Sequence, residues 1–260
     1  LYSEGVRVEE DVEESLRWTK LAAEAGHPRA QYNMACLYKE GEVVARNITE
    51  SLRWLRLAAQ NGLAQAMDAI GYMYDLGKDV EEDDLEAVKW YQAAARLGLA
   101  EGQAHLADMY YFGEGVEEDL ETAFLLNQLA AKQGLARAQF HLGLMYDNGS
   151  GVEEDNISAV RWYLAAAEQG HASAQRTLGF MYRYGEGVAK EDEEAIKWFR
   201  KAAEQGDADA QYSLSLMILE RADTDVMNKL GIFWMEQAAE HGNVEARELI
   251  EESQNPSTDP

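Results

Sequence analysis

Ala138-Gln139-Phe140-His141-Leu142-Gly143-Leu144-Met145-Tyr146 places Ala138, Leu142, Met145 and Tyr146 at i, i+4, i+7 and i+8, one stripe of a helix. Gly143 on that stripe admits a neighbouring helix at close range, against a propensity cost of about 1 kcal/mol. A turn follows at Gly149-Ser150-Gly151-Val152, with counterparts at Gly113-Glu114-Gly115-Val116 and Gly185-Glu186-Gly187-Val188. Glycines there accept positive φ after a helix end. A second helix then opens on an N-cap: Asp11/Glu14, Asn47/Glu50 and Asp83/Glu86 have capping-box spacing. Ala87, Trp90, Tyr91, Ala94 and Ala95 continue at helical spacing until Gly98 closes the helix as its C′ residue.

The same unit recurs along the chain. Gly26, Gly62, Gly98, Gly134, Gly170, Gly206 and Gly242 each stand 36 residues after the last. Trp18, Trp54, Trp90, Trp162, Trp198 and Trp234 keep that period, with Leu126 in the one remaining place. An Ala-Ala pair lies between, from Ala22-Ala23 through Ala238-Ala239. A register held this long is that of a repeat protein, and it overrides the two ordinary domains that 260 residues would suggest. Hairpins of two helices of about 11–14 residues cannot bury both faces alone, so successive pairs stack.

Composition narrows the partners. With 23 Lys+Arg against 48 Asp+Glu the formal charge is −25, which repels nucleic acid and anionic membrane surfaces alike. Hydrophobic residues at 47% suffice for a core, so the charge does not mean disorder. No apolar run approaches the roughly 18–20 residues that cross a bilayer. Cys36 is the only cysteine and forms no internal disulfide, so it leaves the redox compartment unread.

The pattern Ala-x-x-x-Leu-Gly-x-Met-Tyr, Gly-x-Gly-Val-x-x-Asp and Ala-x-x-Trp-Tyr-x-x-Ala-Ala with a closing Gly resembles the Sel-1-like repeat, a branch of the tetratricopeptide-type helical repeats. The resemblance implies an all-α, right-handed superhelix, an α-solenoid of 36-residue repeats, acting as a non-catalytic scaffold or adaptor for other proteins. The expected organisation is one solenoid of about seven repeats over residues 1–252, the first partial, followed by a disordered tail over 253–260. Leu1-Tyr2 align with Leu37-Tyr38 and Gly5 with Gly41, so the chain is expected to begin inside a longer native protein. Leu126-Asn127 replaces the Trp-Tyr pair of other units, and Arg221-Ala222-Asp223-Thr224 replaces the glycine turn of the last.

Other chemistries lack their signatures. His105 and His141 share a repeat position, but stacked helices lie about 8–10 Å apart and zinc needs ligands near 2.1 Å. No His-Glu-x-x-His, Cys pair or nucleophile elbow occurs, so the expectation is no metal, no cofactor and no catalytic residue. The glycine turns lack the Lys-Ser or Lys-Thr of phosphate loops. The acidic clusters Glu9-Glu10-Asp11, Glu81-Glu82-Asp83-Asp84, Glu117-Glu118-Asp119, Glu153-Glu154-Asp155 and Glu191 to Glu194 lack EF-hand spacing and suit helix N-termini. Asn47, Asn148 and Asn156 begin N-glycosylation sequons, and the expectation is that they cap helices.

Binding residues come from the positions that stacking leaves free. Counted from each closing Gly, positions 4, 8, 11 and 12 are apolar or small, whereas 3, 6, 10, 13 and 14 vary. By resemblance to tetratricopeptide repeats the varying positions line the concave surface. They hold Tyr32, Tyr72, Tyr111, Phe112, Phe140, Phe180, Tyr184 and Tyr212, with Arg29, Arg137, Arg176 and Arg183 between them. Aromatic rings with arginine are what interface hot spots favour. Asp68, Asp75, Glu101, Asp108 and Asp147 are expected to make the middle of the groove acidic, and Arg176 and Arg183 its C-terminal part basic. The expected partner is a protein or peptide client with basic segments. The expected role is a bacterial periplasmic or envelope inhibitor, immunity or host-interaction factor. A fragment of a larger intracellular or endoplasmic-reticulum adaptor, in signalling or quality control, is the alternative, with a hydrolase last.

Overall fold

The computed structural model describes residues 12–254, and every regular element among them is helical. Fourteen helices run from α1 (Val12–Glu24) to α14 (Val244–Gln254). Even-numbered helices, α2 (Pro28–Glu40), α4 (Ala64–Leu76), α6 (Ala100–Phe112), α8 (Ala136–Asn148), α10 (Ala172–Tyr184) and α12 (Ala208–Glu220), are the first helices of the hairpins. Their partners are α3 (Ile48–Gln60), α5 (Asp84–Arg96), α7 (Leu120–Lys132), α9 (Asn156–Glu168), α11 (Asp192–Glu204) and α13 (Asp225–Glu240). Two compact units emerge, Leu1–Leu126 and Asn127–Pro260, each a stack of such hairpins. The Leu1-Tyr2 and Gly5 alignments, the Glu9-Glu10-Asp11 cluster and the Asp11 cap lie outside the described residues. So does most of the expected tail, although α14 continues to Gln254, two residues beyond the expected boundary at 252.

The clock residues have concrete tasks. All seven closing glycines take positive φ, from +82° at Gly98 to +103° at Gly242. Each sits in a Schellman motif: Gly134 N–H reaches the Ala131 carbonyl and Leu135 N–H the Ala130 carbonyl, and the same pair of bonds recurs at Ala22-Ala23 and Ala238-Ala239. The Ala-Ala pairs thus supply the acceptors that end the helices. Glycine at position 9 answers a different need. A Cβ on Gly143 would stand 2.6 Å from Tyr163 Cδ1, and Gly71 and Gly179 lie similarly close beneath Tyr91 and Phe199. Those three rings are 0% exposed. Where position 9 is Ala35 or Ser215, the residue at the ring's repeat position is Leu55 or Met235.

The capping boxes form only in half. Asn47 and Asp83 accept from Glu50 N–H and Glu86 N–H at 3.1 and 3.0 Å. Their own N–H groups are already engaged, Asn47 with the Tyr38 carbonyl and Asp83 with Tyr74, closing the loop between the two helices. The Glu side chains turn outward instead: Glu86 accepts from the Trp90 indole at 3.1 Å and from Lys89. Among the sequon residues only Asn47 caps. Asp155 caps α9, with its carboxyl held below the usual range by hydrogen bonds from Ser158, and Asn148 and Asn156 are helical.

A buried polar spine runs through the stacks and was not foreseen. Gln139, Gln175 and Gln211 are at most 7% exposed. Each donates to the carbonyl eight residues back (Ala131, Ala167 and Ala203) and accepts from the residue thirty ahead (Gln169, Gln205 and His241). In the first unit Gln31 bonds Ala23 and Asn61 in the same way. Met67 and Leu97 occupy the corresponding pair of positions in the next layer, both apolar. Asn127, in place of a ring, is 2% exposed; its amide reaches Met145 Sδ at 3.7 Å and its oxygen has no partner.

Candidate client-binding surface

In the first unit, Tyr72 and Phe112 stand out at 43% and 64% exposure. Tyr111 meets Phe112 edge-on at 5.0 Å, and Tyr32 is half-buried beside Cys36, where burial pushes both groups' pKa values up. Arg29 is exposed. The acidic residues are less available than expected. Asp68 Oδ1 binds His105 Nδ1 at 2.8 Å, and the His105 ring tilts against Tyr72 and Tyr91 at 5.9 and 4.9 Å. Tyr91 donates its hydroxyl to Asp75 at 2.9 Å. Asp108 is half-buried and Glu101 exposed. Tyr72 also walls a small cavity of about 130 Å³ with Lys39, Leu76 and Lys78.

In the second unit the foreseen rings are braced from within. Phe140 stacks on His171 at 4.7 Å and leans on Tyr163 at 5.7 Å. His171 caps α10 through Nδ1, which accepts from Ala174 N–H; burial first, then His141, lowers its pKa. Tyr163 donates to Asp147 at 3.1 Å, and burial followed by that carboxylate raises the phenol's pKa well above its ordinary range. Arg137 is half-buried. Phe180, Arg183, Tyr184 and Tyr212 converge with Asp209, Ser213, Leu216, Asn243 and Glu245 on a cavity of about 280 Å³.

The expected basic end of the groove is not basic. Arg176 is held by Asp207 and Asp209 at 3.1 and 2.9 Å, and Arg183 by Glu220 at 3.0 Å. These pairs leave no local mark in the sequence because the partners lie 31 to 37 residues away on the following hairpin. Asp209, Leu216 and Glu245 were missed although they occupy the varying positions 3 and 10, because neither rings nor arginines mark them. Among the described residues no group of three or more His, Cys, Asp or Glu is placed to hold a metal ion. No described helix is long and apolar enough to cross a membrane.

The Sel1 repeat family matches seven times, over residues 1–27, 28–63, 64–99, 100–135, 136–171, 172–207 and 208–243. The chain belongs to the Sel1 repeat family. Its fold is therefore of the α-solenoid class, generally a non-catalytic scaffold through which proteins bind one another. Among solved structures it is similar to a protective antigen present in uropathogenic Escherichia coli strains displaying an SLR fold. That likeness has 39% identity and a TM-score of 0.81 over 91% of this chain and 50% of that one. A Sel1 repeat protein from Oxalobacter formigenes gives 35% identity and a TM-score of 0.82 over 93% and 71%. An immunity protein from Pseudomonas aeruginosa, at 22% identity and a TM-score of 0.50 over 84% and 82%, shares the fold. The chain thus spans half the length of the E. coli antigen. No curated protein matches it.

Proposed function

We propose that this Sel1 repeat protein is a non-catalytic scaffold that binds a protein or peptide client along the exposed face of its even-numbered helices. One observation carries the reading: on these helices Tyr72 and Phe112 of the first unit hold 43% and 64% of their surface open to water, and Tyr184 of the second holds 62%, stacked on Phe180. Exposed aromatics backed by rigid neighbours bind at low entropic cost. Arg29, Asp68, Asp75 and Asp108 belong to the proposed surface of the first unit and Arg137 to that of the second, with the rings supplying contact area and the charges orientation. Similarity to a protective antigen supports a bacterial host-interaction role, in the periplasm or outside the cell.

The test compares two faces in client capture followed by mass spectrometry. Tyr72→Ala plus Phe112→Ala should lose the client, whereas Lys132→Ala plus Arg200→Ala, on odd-numbered helices, should keep it. Phe140 and Phe180 are unsuitable as probes because they brace Tyr163 and Phe199, and Lys201 because it sits 4.0 Å over Trp198. Loss confined to the second variant, with both folded, would overturn the reading.

A further inference from the structure

The cavity among α10, α12 and α14 combines aromatic walls with an acidic rim. Phe180 and Tyr184 stack at 6.3 Å with their planes 5° apart, and Phe199 fixes Phe180 edge-on at 4.9 Å. Tyr212 and Leu216 line it from α12. Around it, two guanidiniums (Arg176 and Arg183) accompany four carboxylates (Asp207, Asp209, Glu220 and Glu245), leaving two negative charges in excess. Asp209 is already shared between Arg176 and Asn243. Glu245, exposed on the first turn of α14, has no ion-pair partner among the described residues.

At about 280 Å³ the cavity is large enough for one or two side chains. An acidic side chain would meet Asp209 and Glu245. A purely aliphatic one would fill the walls but strip water from the Glu245 carboxylate without replacing it. A hydrocarbon stem ending in a cation satisfies both: the stem lies along Phe180, Tyr212 and Leu216, and the head meets Glu245 and the face of Tyr184. We infer that this cavity is a subsite for a lysine or arginine side chain of the client, an inference that rests on the client-binding face proposed above. The excess of 48 acidic over 23 basic residues steers such a cation toward it.

The probe is a short fluorescein-labelled peptide with two lysines in a glycine–serine background, titrated into the full chain by anisotropy. Matched peptides carry acetyl-lysine, norleucine or glutamate. Removing the charge should weaken binding by about tenfold, with glutamate weaker still. Glu245→Gln and Tyr184→Ala, both exposed positions, should each weaken the lysine peptide by about threefold while the melting temperature holds. Raising salt from about 0.15 to 0.5 M should weaken it further. Equal affinity for lysine and norleucine would overturn the inference in favour of an apolar anchor. Indifference to both variants would overturn it by placing the peptide elsewhere. The proposed function is tested separately, by client capture with the Tyr72 and Phe112 variant outside this cavity, so the two failures are distinguishable.

Discussion

The α8/α9 and α10/α11 layers are built alike in one unit, and their central buried rings differ by a single hydroxyl. Tyr163 and Phe199 are both fully buried over a glycine, Gly143 in one layer and Gly179 in the other. Tyr163 donates to Asp147, so the surface position below it holds an acid tied to its own hairpin. Phe199 has nothing to donate, and the same position holds Arg183, which reaches onward to Glu220 of α12. In these two layers the ring and the destination of the surface charge change together. The hydroxyl layer turns its charge inward, and the other uses it to brace the cavity wall.

The glycines offer the largest test of that comparison. Gly143→Ala and Gly179→Ala should each cost about 2–3 kcal/mol in chemical denaturation, since the new methyl runs into a buried ring. The loss should be larger at Gly143, where Asp147 holds the ring in place. Equal losses would show that the hydroxyl does not position it. Gly170 joins the two layers at φ +92°, and a Cβ there would meet nothing within 4 Å, so Gly170→Val adds backbone strain alone. About 1–2 kcal/mol is expected, against less than about 0.5 for Lys132→Ala. Identical melting temperatures would mean that the repeat boundary is misplaced.

Converting one layer toward the other sharpens the contrast. Tyr163→Phe should cost about 1 kcal/mol near neutrality, leaving Asp147 without its donor. The raised phenol pKa gives this bond a pH signature. A group whose pKa is higher folded than unfolded stabilises fully below its ordinary value of 10.0 and loses that contribution as pH climbs past it. Tyr163→Phe should remove that part of the alkaline slope in urea midpoints; an unchanged slope would dismiss the bond's role. The smallest effect is expected at His171, which opens the second layer. Its pKa lies below 6.5, so its contribution is complete above that pH and fades as acid protonates the capping nitrogen. His171→Asn keeps a cap that does not titrate and should flatten stability between about pH 5 and 7, by a few tenths of a kcal/mol. An unaltered acid limb would assign that slope to other groups.

The repeat was legible because its backbone needs are absolute. Positive φ at Gly26 through Gly242 and the ring clearance at Gly71, Gly143 and Gly179 leave one residue type available. The exposed rings Tyr72, Phe112 and Tyr184 were legible for the opposite reason, since stacking does not call for them. Polar side chains were harder to read. Gln139 and Asp147 look like solvated residues in sequence, because the carbonyls and hydroxyls that bind them come from helices packed alongside. The sign of the groove failed likewise: Arg176 and Arg183 announce positive charge, and only the folded chain shows the carboxylates that cancel it.

The glutamine spine gives the repeats a joint that any copy can fill. Gln31, Gln139, Gln175 and Gln211 each pair with an Asn, Gln or His of their own copy and donate to a backbone carbonyl of the copy before, so these joints are interchangeable. An array that gains or loses whole copies across such joints keeps every side-chain pair together and strands none. Met67 and Leu97 form the apolar counterpart within one copy, and a crossover inside a copy that set either against a glutamine would leave a buried amide unpaired, at about 1–3 kcal/mol. Growth and shrinkage of the array in evolution are thereby channelled: whole copies can be dealt in any number, while a break between the two helices of a copy risks stranding an amide.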